Sequence, residues 1–319
     1  MGDASWAAAM QLNRFDLNLL VALDALLREK SVTRAAERVY ISQPAMSGAL
    51  QRLREFFDDQ LLVRIGRDME LTPRAQSLIQ PVREILLLTQ STLELQPTFE
   101  PATTSRSFTL VMSDYCLLVF LSFALRRLAI EAPGVQINVE PLDASTLARL
   151  ESGDVDLCLI PSNARILGQL ELGGVMQQSP LFTDQWACVV SADHPSVHDE
   201  LTLEQYFALP HAFARFGGST VTLEQLTLHR LAREVRVAAT APGFVSAIFL
   251  LPGTSMVATV QERLARAMAH MVPIRVLKPP LELPLLQEAM VWHERNALDP
   301  GHLWLRRFFA DVAASLSIG

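Results

Sequence analysis

The chain has 319 residues, of which half are hydrophobic and 19% are charged. This length predicts two or three domains at roughly 100–200 residues each, and the composition excludes a disordered chain. No apolar stretch approaches the ~20 residues that a membrane-spanning helix needs. The N-terminus lacks the basic and apolar regions of a secretory signal, and Met10 is an alternative start. We therefore expect a cytoplasmic protein that does not associate with a membrane.

The net charge of −7 is unevenly distributed. Residues 1–95 hold 11 Lys and Arg against 12 Asp and Glu, so most of the acidic surplus lies in the rest of the chain. A nucleic acid would therefore have to be bound by the N-terminal part, although bulk charge alone does not argue for such binding.

Cysteines, histidines and catalytic motifs give no sign of enzyme chemistry. Cys116, Cys158 and Cys188 are odd in number, far apart and surrounded by apolar residues, which predicts reduced core thiols rather than disulfides or a zinc site. The seven histidines lack metal-ligand spacing, and the P-loop, GxGxxG and GxSxG motifs are absent. We expect no metal, no cofactor and no enzyme activity.

Three short helices are predicted near the N-terminus. Apolar residues recur at helical spacing over residues 17–30. A second helix follows with Ser31 or Thr33 as its N-cap, and Ser42 is a suitable N-cap for a third, Gln43–Phe57.

The third helix has two distinct faces. One face is apolar and predicts a core: Met46, Ala49, Leu50, Leu53 and Phe57. The opposite face is small or polar: Pro44, Ser47, Gly48 and Gln51, with Gln43 at the tip and Arg52 on the flank. Short hydrogen-bonding side chains near a helix N-terminus suit the DNA major groove. A merely neutral exposed face explains the pattern equally well, so this helix alone leaves both interpretations open.

A hairpin is predicted after the third helix. Apolar and polar residues alternate on both sides of a turn at residues 66–68. Helix, short helix, helix and hairpin is the order of a winged helix-turn-helix. Arg64 and Arg67 then lie on or near the tip of the wing, where arginine commonly contacts phosphates or the minor groove.

Thr72 and Pro73 predict the start of a long helix. Its residues at three- and four-residue spacing form a heptad seam suited to pairing two chains: Ala75, Leu78, Val82, Ile85, Thr89 and Thr92. Pro81 should kink this helix or break it in two. The alternative is a helix that packs on its own domain.

The rest of the chain predicts a separate α/β region. Residues 96–105 are polar and contain Pro97 and Pro101, which indicates a domain boundary. From Arg106 onward predicted strands and helices alternate, a pattern typical of parallel-rich sheets that are covered on both faces.

Two segments of the N-terminal region carry a family resemblance. SVTRAAERVYISQPAMSGALQRLREFF and LLVRIGRDMELTPRA resemble the signature of LysR-type transcriptional regulators, over about residues 15–90 without a gap. The remainder is similar to the family more loosely, through its length, its α/β alternation, the tripeptide DHP and TSMVATVQERLA. DLNLL, FDDQLLVR, SDY and WHERN resemble the branch that regulates nodulation genes and aromatic degradation.

The resemblance implies an α+β multidomain fold. It consists of an N-terminal winged helix-turn-helix at residues 14–72, a long linker helix for dimerisation at 73–95, and a C-terminal two-lobe α/β domain at 106–319 that is periplasmic-binding-protein-like. Lobe one would comprise about residues 106–182 and 284–319, and lobe two about 183–283.

The resemblance also implies a function. Family members are usually tetramers that pair through the linker helices and bind double-stranded DNA constitutively, and a small-molecule inducer between the lobes alters DNA bending and activates transcription. For this chain we therefore expect a homodimer or homotetramer, with RNA polymerase as a further partner. In this chain an aromatic or otherwise apolar inducer is expected. The alternatives are an effector-independent regulator or DNA-organising antagonist with a self-filled cleft and, more remotely, a two-lobe enzyme.

The resemblance also implies candidate site residues, which are carried over position by position onto this sequence. The DNA-contacting set is Arg34, Ser42, Gln43, Pro44, Ser47, Gln51, Arg52, Arg64 and Arg67. Gly48 departs from the family pattern, in which many relatives carry Arg. The effector-contacting set is Ser113, Asp114, Pro161, Ser162, Phe182, His194, Arg215 and Thr240. Within it Arg215 is the best partner for a carboxylate, Asp114 opposes an anionic ligand, and His194 fits a loop-shaping role better than a ligand contact.

Overall fold

The computed structural model describes residues 15–65, 68–94, 99–162, 175–217, 222–231 and 233–316. The chain divides into two compact units, residues 1–95 and 96–319. Across the described ranges, no helix is long and apolar enough to span a membrane.

The first unit contains the predicted helices and hairpin. In chain order its elements are α1 Leu19–Glu29, α2 Val32–Arg38, α3 Gln43–Phe57, β1 Leu62–Ile65, β2 Asp68–Leu71 and α4 Pro73–Glu94. Ser31 and not Thr33 caps α2, because its side chain accepts the Arg34 N–H at 3.4 Å. Ser42 caps α3 in the same way through the Ala45 N–H at 3.3 Å.

The core of the first unit follows the helical spacing of its apolar residues. The apolar face of α3 is buried at Met46, Ala49, Leu50 and Leu53, as predicted, and Phe57 is half-buried. Close approach of α2 is possible because small side chains, Ala35 and Ala36, form its buried face.

Helix α4 is continuous from Pro73 to Glu94 with Pro81 inside it, so Pro81 does not break the helix in two, and a kink at Pro81 stays a prediction. Ala75 and Val82 are buried in the core of the first unit, whereas Ile85 and Leu88 are exposed. The residues of the predicted heptad seam therefore form two surfaces. The first half packs in the core of the helix's own domain, and the second half is exposed.

The second unit alternates strands and helices. In chain order its strands are β3 Arg106–Met112, β4 Val135–Pro141, β5 Leu157–Pro161, β6 Met176–Asp184, β7 Trp186–Ser191, β8 Pro210–Ala214, β9 Arg236–Ala241, β10 Val257–Gln261, β11 Ile274–Leu277 and β12 Leu286–His293. Its helices are α5 (Asp114–Cys116, a π-helical turn Leu117–Leu121, then Ser122–Glu131), α6 Thr146–Glu151, α7 Leu203–Ala208, α8 Leu223–Arg230, α9 Phe244–Phe249, α10 Glu262–Met268 and α11 Pro300–Leu316.

These strands form two five-stranded sheets, one in each lobe. The orders are β4-β3-β5-β12-β6 in lobe one and β11-β7-β10-β8-β9 in lobe two. The sheets are mixed rather than parallel-rich, because β12 is antiparallel to both β5 and β6, and β7 is antiparallel to both β10 and β11. The reason is that the chain crosses between lobes after β6 and again before β12.

One apolar cluster spans the two lobes, and lobe two has a second cluster of its own around Tyr206 and Phe213. Phe108 and Phe120 of lobe one and Val189 and Ile248 of lobe two belong to a single cluster of buried residues. The three cysteines are free and buried, as predicted. The sequence pattern did not single out β6, β11, α7 or α8: β11, α7 and α8 are short, and β6, although nine residues long, lacks a clear apolar alternation.

Candidate DNA interface and ligand cleft

Helix α3 exposes the small polar face that the sequence predicted. Ser42, Gln43, Pro44 and Ser47 are exposed at or near its N-terminus. A Cβ added to Gly48 would meet no atom within 4 Å, so this position is a flat part of the surface. The face offers hydroxyl and amide groups, which can donate to and accept from base edges.

The cations near this face are paired with acids of the same unit. Arg52 lies 3.4 Å from Asp16, and Arg34 lies 3.5 Å from Glu29. Gln51 donates to a Glu55 carboxylate at 2.8 Å. A phosphate would have to compete with these carboxylates, which limits the charge that the surface offers to DNA.

Tyr40 is an exposed aromatic residue that no motif in the sequence singles out. It follows α2 with a φ of +56°, and 96% of its surface is exposed. Its N–H donates to Glu37 O at 3.2 Å and the Ile41 N–H donates to Ala36 O at 3.1 Å, the two bonds of a Schellman helix end. Glycine usually occupies this left-handed position after a helix. A tyrosine at the predicted end of α2 was therefore the only feature of the sequence that could have indicated Tyr40.

The wing is attached to the end of α3. Leu62–Ile65 pairs antiparallel with Asp68–Leu71, and Arg64 is exposed on β1. Arg54 of α3 donates to the carbonyls of Gln60 and Leu62 at 2.9 and 3.1 Å. The predicted contact Arg67 lies outside the described residues.

Half of the predicted effector residues lie at one edge of the lobe-one sheet. The parallel pairing of β3 with β5 brings their carboxyl ends together, and ligands of α/β sheets commonly bind at such edges. Ser113 and Asp114 follow β3, while Pro161 ends β5 and Ser162 follows it. Ser113 caps α5 by accepting the Cys116 N–H at 3.3 Å.

Arg215 and Thr240 lie together at the carboxyl edge of the lobe-two sheet. Thr240 of β9 pairs with Phe213 of β8, and the Arg215 N–H donates to Ala241 O at 2.8 Å. Both side chains are exposed. Within the described part of the chain, the Arg215 guanidinium has no hydrogen-bond or ion-pair partner.

Asp114 connects these two edges. Its carboxylate accepts the N–H of Phe244 at 3.0 Å and of Val245 at 2.8 Å, at the start of α9, and also the Tyr115 N–H at 3.0 Å. Burial raises the pKa of Asp114 above its usual range, while the three amide donors act in the opposite direction. The protein's own carboxylate therefore occupies part of the space between the lobes.

Two predicted effector residues do not join this group. Phe182 is buried and packs on Phe120 and Tyr115, with ring centroids 5.7 and 6.2 Å away. His194 follows β7, which is antiparallel to β10 and β8, so it lies at the opposite sheet edge from Arg215. Its Nδ1 accepts the Val197 N–H at 3.0 Å, which is a loop-shaping contact.

A buried acidic cluster lies next to this region and was missed. Tyr115 Oη donates to Asp184 Oδ2 at 2.7 Å. Glu288 of β12 is 3% exposed, and its Oε2 has no hydrogen-bond partner among the described residues. Burial raises the pKa of Glu288 to about 8, with a smaller contribution from Asp184. The only signal in the sequence was one acid inside an apolar strand.

A groove of about 640 Å³ lies elsewhere, between α5, α10 and α11. Leu118, Phe123 and Val312 give it an apolar lining, and Arg127 and Arg266 lie at its margin. Each of these arginines is paired with a glutamate on its own helix. None of the predicted effector residues lines this groove, so it is separate from the predicted site.

Comparison with known protein families covers nearly the whole chain. The family described as "Bacterial regulatory helix-turn-helix protein, lysR family" matches residues 17–76, and the one described as "LysR substrate binding domain" matches residues 101–314.

Curated relatives match over almost their full length. Nodulation protein D 2 of Rhizobium leguminosarum bv. phaseoli is 35% identical over 308 residues, covering 96% of this chain and 95% of the relative. Nodulation protein D 2 of Rhizobium meliloti (strain 1021) is 36% identical over 306 residues, covering 96% of both. The predicted family and its nodulation branch are confirmed.

Solved structures agree in fold. The protein PA0477 from Pseudomonas aeruginosa has a TM-score of 0.64 and 29% identity, covering 94% of this chain and 98% of its own. Full-length CbnR, solved in complex with its target DNA, has a TM-score of 0.61 at 15% identity, covering 95% and 100%. The predicted fold class is thereby confirmed.

Proposed function

The chain belongs to the LysR family of bacterial transcription regulators, and we propose that its first unit binds DNA and its second unit binds an effector. It is a DNA-binding regulator with an effector-binding domain, and not an enzyme. In our proposal α3 and the wing contact double-stranded DNA, and a small molecule binds between the two lobes of the second unit. The exposed polar face of α3 is the observation that carries the DNA part of the proposal.

We assign the DNA contacts in two classes. Gln43 and Ser47 face base edges, because amide and hydroxyl groups read donor and acceptor patterns in the major groove. Phosphates are contacted by flanking residues, which position the helix without reading sequence. These residues are Arg34, Tyr40, Ser42, Gln51, Arg52, Arg64 and Arg67, whereas Pro44 has no hydrogen-bond donor and contacts the DNA through its apolar ring.

The small net charge of the DNA-binding module argues for several modules on one site. Residues 14–76 carry ten basic and nine acidic residues, and the arginines beside α3 are ion-paired. One module should therefore bind weakly. Linked modules raise affinity without new contacts, so we propose a homodimer or homotetramer that pairs through the exposed half of α4.

We propose that the effector-binding site is the space between the carboxyl edges of the two sheets. Ser113, Pro161, Ser162, Arg215 and Thr240 surround it, supported by the strand pairings. An aromatic or apolar inducer fits better than a dianion, because Asp114 already places a carboxylate there. We further propose that the protein acts in the cytoplasm, as an activator that engages RNA polymerase.

One observation supports the alternative of an effector-independent regulator. An apolar cluster spans both lobes, and the Asp114 carboxylate bonds to amides of α9 across them, as expected if the protein fills its own cleft. A thermal-shift measurement distinguishes an effector-responsive regulator from an effector-independent one, because a ligand at 100 times its Kd stabilises the folded protein by about 2.7 kcal/mol. If no small molecule stabilises the protein, the effector-independent alternative replaces the inducer proposal.

Footprinting tests the DNA assignment. We expect the full-length protein to protect a long region upstream of its own gene, and Gln43→Ala/Ser47→Ala to lose that protection because the base-edge contacts are gone. The matched control is Gln76→Ala/Ser77→Ala, which removes the same two side-chain types from the exposed surface of α4. Unchanged protection by the α3 variant, or equal binding to random DNA, would contradict the assignment.

A further inference from the structure

The start of α5 is tied to lobe two by a carboxylate outside the two chain crossovers. Asp114 Oδ1 accepts the Phe244 N–H at 3.0 Å and Oδ2 accepts the Val245 N–H at 2.8 Å. Asp114 belongs to α5 of lobe one, whereas both amides belong to α9 of lobe two. One side chain therefore makes two charge-assisted hydrogen bonds across the lobes, a class of bond about twice as strong as a neutral one.

The partner segment is shaped to receive this carboxylate. Gly243 precedes the two amides, and a Cβ at this position would overlap the carboxyl group of Asp114. Glycine is thus required here by close approach and not by backbone conformation, since its φ is −171°. Any larger residue would force the two lobes apart or displace Asp114.

The chain crossovers form a separate connection. Trp186 Nε1 donates to Pro284 O at 2.9 Å, which ties the first crossover to the second. Tyr115 Oη donates to Asp184 at the end of β6, which also accepts the Arg263 N–H of α10 at 3.4 Å. A hinge motion about the crossovers can keep these bonds. It would break the bonds from Asp114 to α9 if it separated α5 of lobe one from α9 of lobe two.

We propose that Asp114 and the segment 243–245 form an inter-lobe latch, which holds the second unit closed before any effector binds and sets the DNA-bound state of the free regulator. Ser113 and Arg215, two proposed effector contacts, lie next to the two halves of the latch in the fold. The latch itself does not depend on the proposed effector response, but its regulatory part rests on the proposed function.

Amide hydrogen exchange on the full-length protein, without ligand or DNA, tests the latch directly. In Asp114→Ala the amides of Phe244 and Val245 should exchange at least about tenfold faster, as expected when hydrogen bonds to a charged group are lost. Asp199→Ala, at an exposed aspartate of lobe two, is the matched control and should leave both amides unchanged. Unchanged exchange in Asp114→Ala would overturn the latch.

Chemical rescue separates a latch from general damage to the fold. Formate should restore protection of the two amides in Asp114→Ala, because it supplies the missing carboxylate, whereas neutral formamide should not. If Asp114→Ala does not fold, Asp114→Asn is used, and Gly243→Ala provides an independent way to open the latch. Equal effects of formate and formamide would contradict a role for the carboxylate.

A footprint of each variant without effector tests the regulatory part. Asp114→Ala and Gly243→Ala should both bind DNA but protect a region of different length from the wild type. If amide exchange becomes faster but the footprint does not change, the latch exists but does not regulate DNA binding, and the regulatory part of the proposal is overturned. Loss of the footprint in the wild type as well would instead contradict the proposed DNA site.

Discussion

At the scale of single residues, Tyr40 combines a strained backbone conformation with an exposed side chain. Its left-handed backbone ends α2, and an L-residue with a Cβ pays about 1–2 kcal/mol for that conformation. Its side chain is 96% exposed beside the N-terminus of α3, so packing in the folded protein does not offset this strain. The proposed contact with DNA phosphate would account for a tyrosine at this position, where glycine would adopt the same backbone without strain.

Tyr40→Gly should therefore stabilise the protein and weaken DNA binding. We expect the free energy of unfolding to rise by about 0.5–1 kcal/mol, since glycine adopts the left-handed region without strain. The affinity for DNA should fall because the phenol is lost. Urea unfolding and a binding titration at fixed salt measure the two effects, with Tyr40→Phe as the control that keeps the ring. A destabilised Tyr40→Gly, or one with unchanged affinity, would refute this account.

Glu288 predicts how stability depends on pH. Its pKa is about 8 in the folded protein against 4.5 for an unperturbed glutamate, so between these values the folded state holds a proton that the unfolded chain has released. Stability should fall as pH rises through this window, by up to about 1.4 kcal/mol per pH unit.

The isosteric change Glu288→Gln should remove that slope and leave the protein more stable than the wild type at pH 8. Chemical unfolding at pH 5, 6, 7 and 8 provides the measurement, and Glu200→Gln, at an exposed position, is the control. The explanation fails if wild type and Glu288→Gln lose stability in parallel.

At the scale of elements, α4 is divided between two roles. Its first half contributes Ala75 and Val82 to the core of the first unit, and both side chains are almost fully buried. Its second half exposes Ile85 and Leu88, which are 47% and 62% accessible. A single heptad pattern thus serves domain packing first and is available for pairing of chains afterwards.

This division predicts where the DNA-binding unit can be cut. A fragment of residues 1–94 should fold, whereas one of residues 1–70 should not, because it lacks two core residues of α4 whose removal costs several kcal/mol. Circular dichroism and a cooperative thermal transition distinguish the two fragments. A folded 1–70 fragment would show that α4 is dispensable for the core.

At the scale of the whole molecule, affinity for DNA should depend on self-association. Ile85→Glu/Leu88→Glu should give monomers, since paired chains would have to bury the new charges, and DNA affinity should fall by about a hundredfold as linked modules separate. Sedimentation and a binding titration measure both effects. Gln76→Glu/Gln80→Glu adds the same charge at exposed positions of α4 and should do neither. Oligomers that persist in the Ile85→Glu/Leu88→Glu variant would place the interface elsewhere.

Local patterns in the sequence determined the DNA-binding unit. Ser42 as N-cap, the apolar face from Met46 to Leu53 and the paired strands of the wing each depend on residues close together in the sequence. Caps and helical spacing act at that range. The family signature covers the same residues, so the fold class and the regulator function could be predicted before the structure.

Only the tertiary structure decided what lies between the lobes. Asp114 meets α9 across 130 residues of sequence, Glu288 is enclosed by β5 and β6, and His194 is placed at the far edge of its sheet. No local pattern encodes these positions, because they depend on strand order and on the two crossovers between the lobes. A carboxylate in a sequence has no fixed role until the fold decides which amides, which burial and which charges surround it.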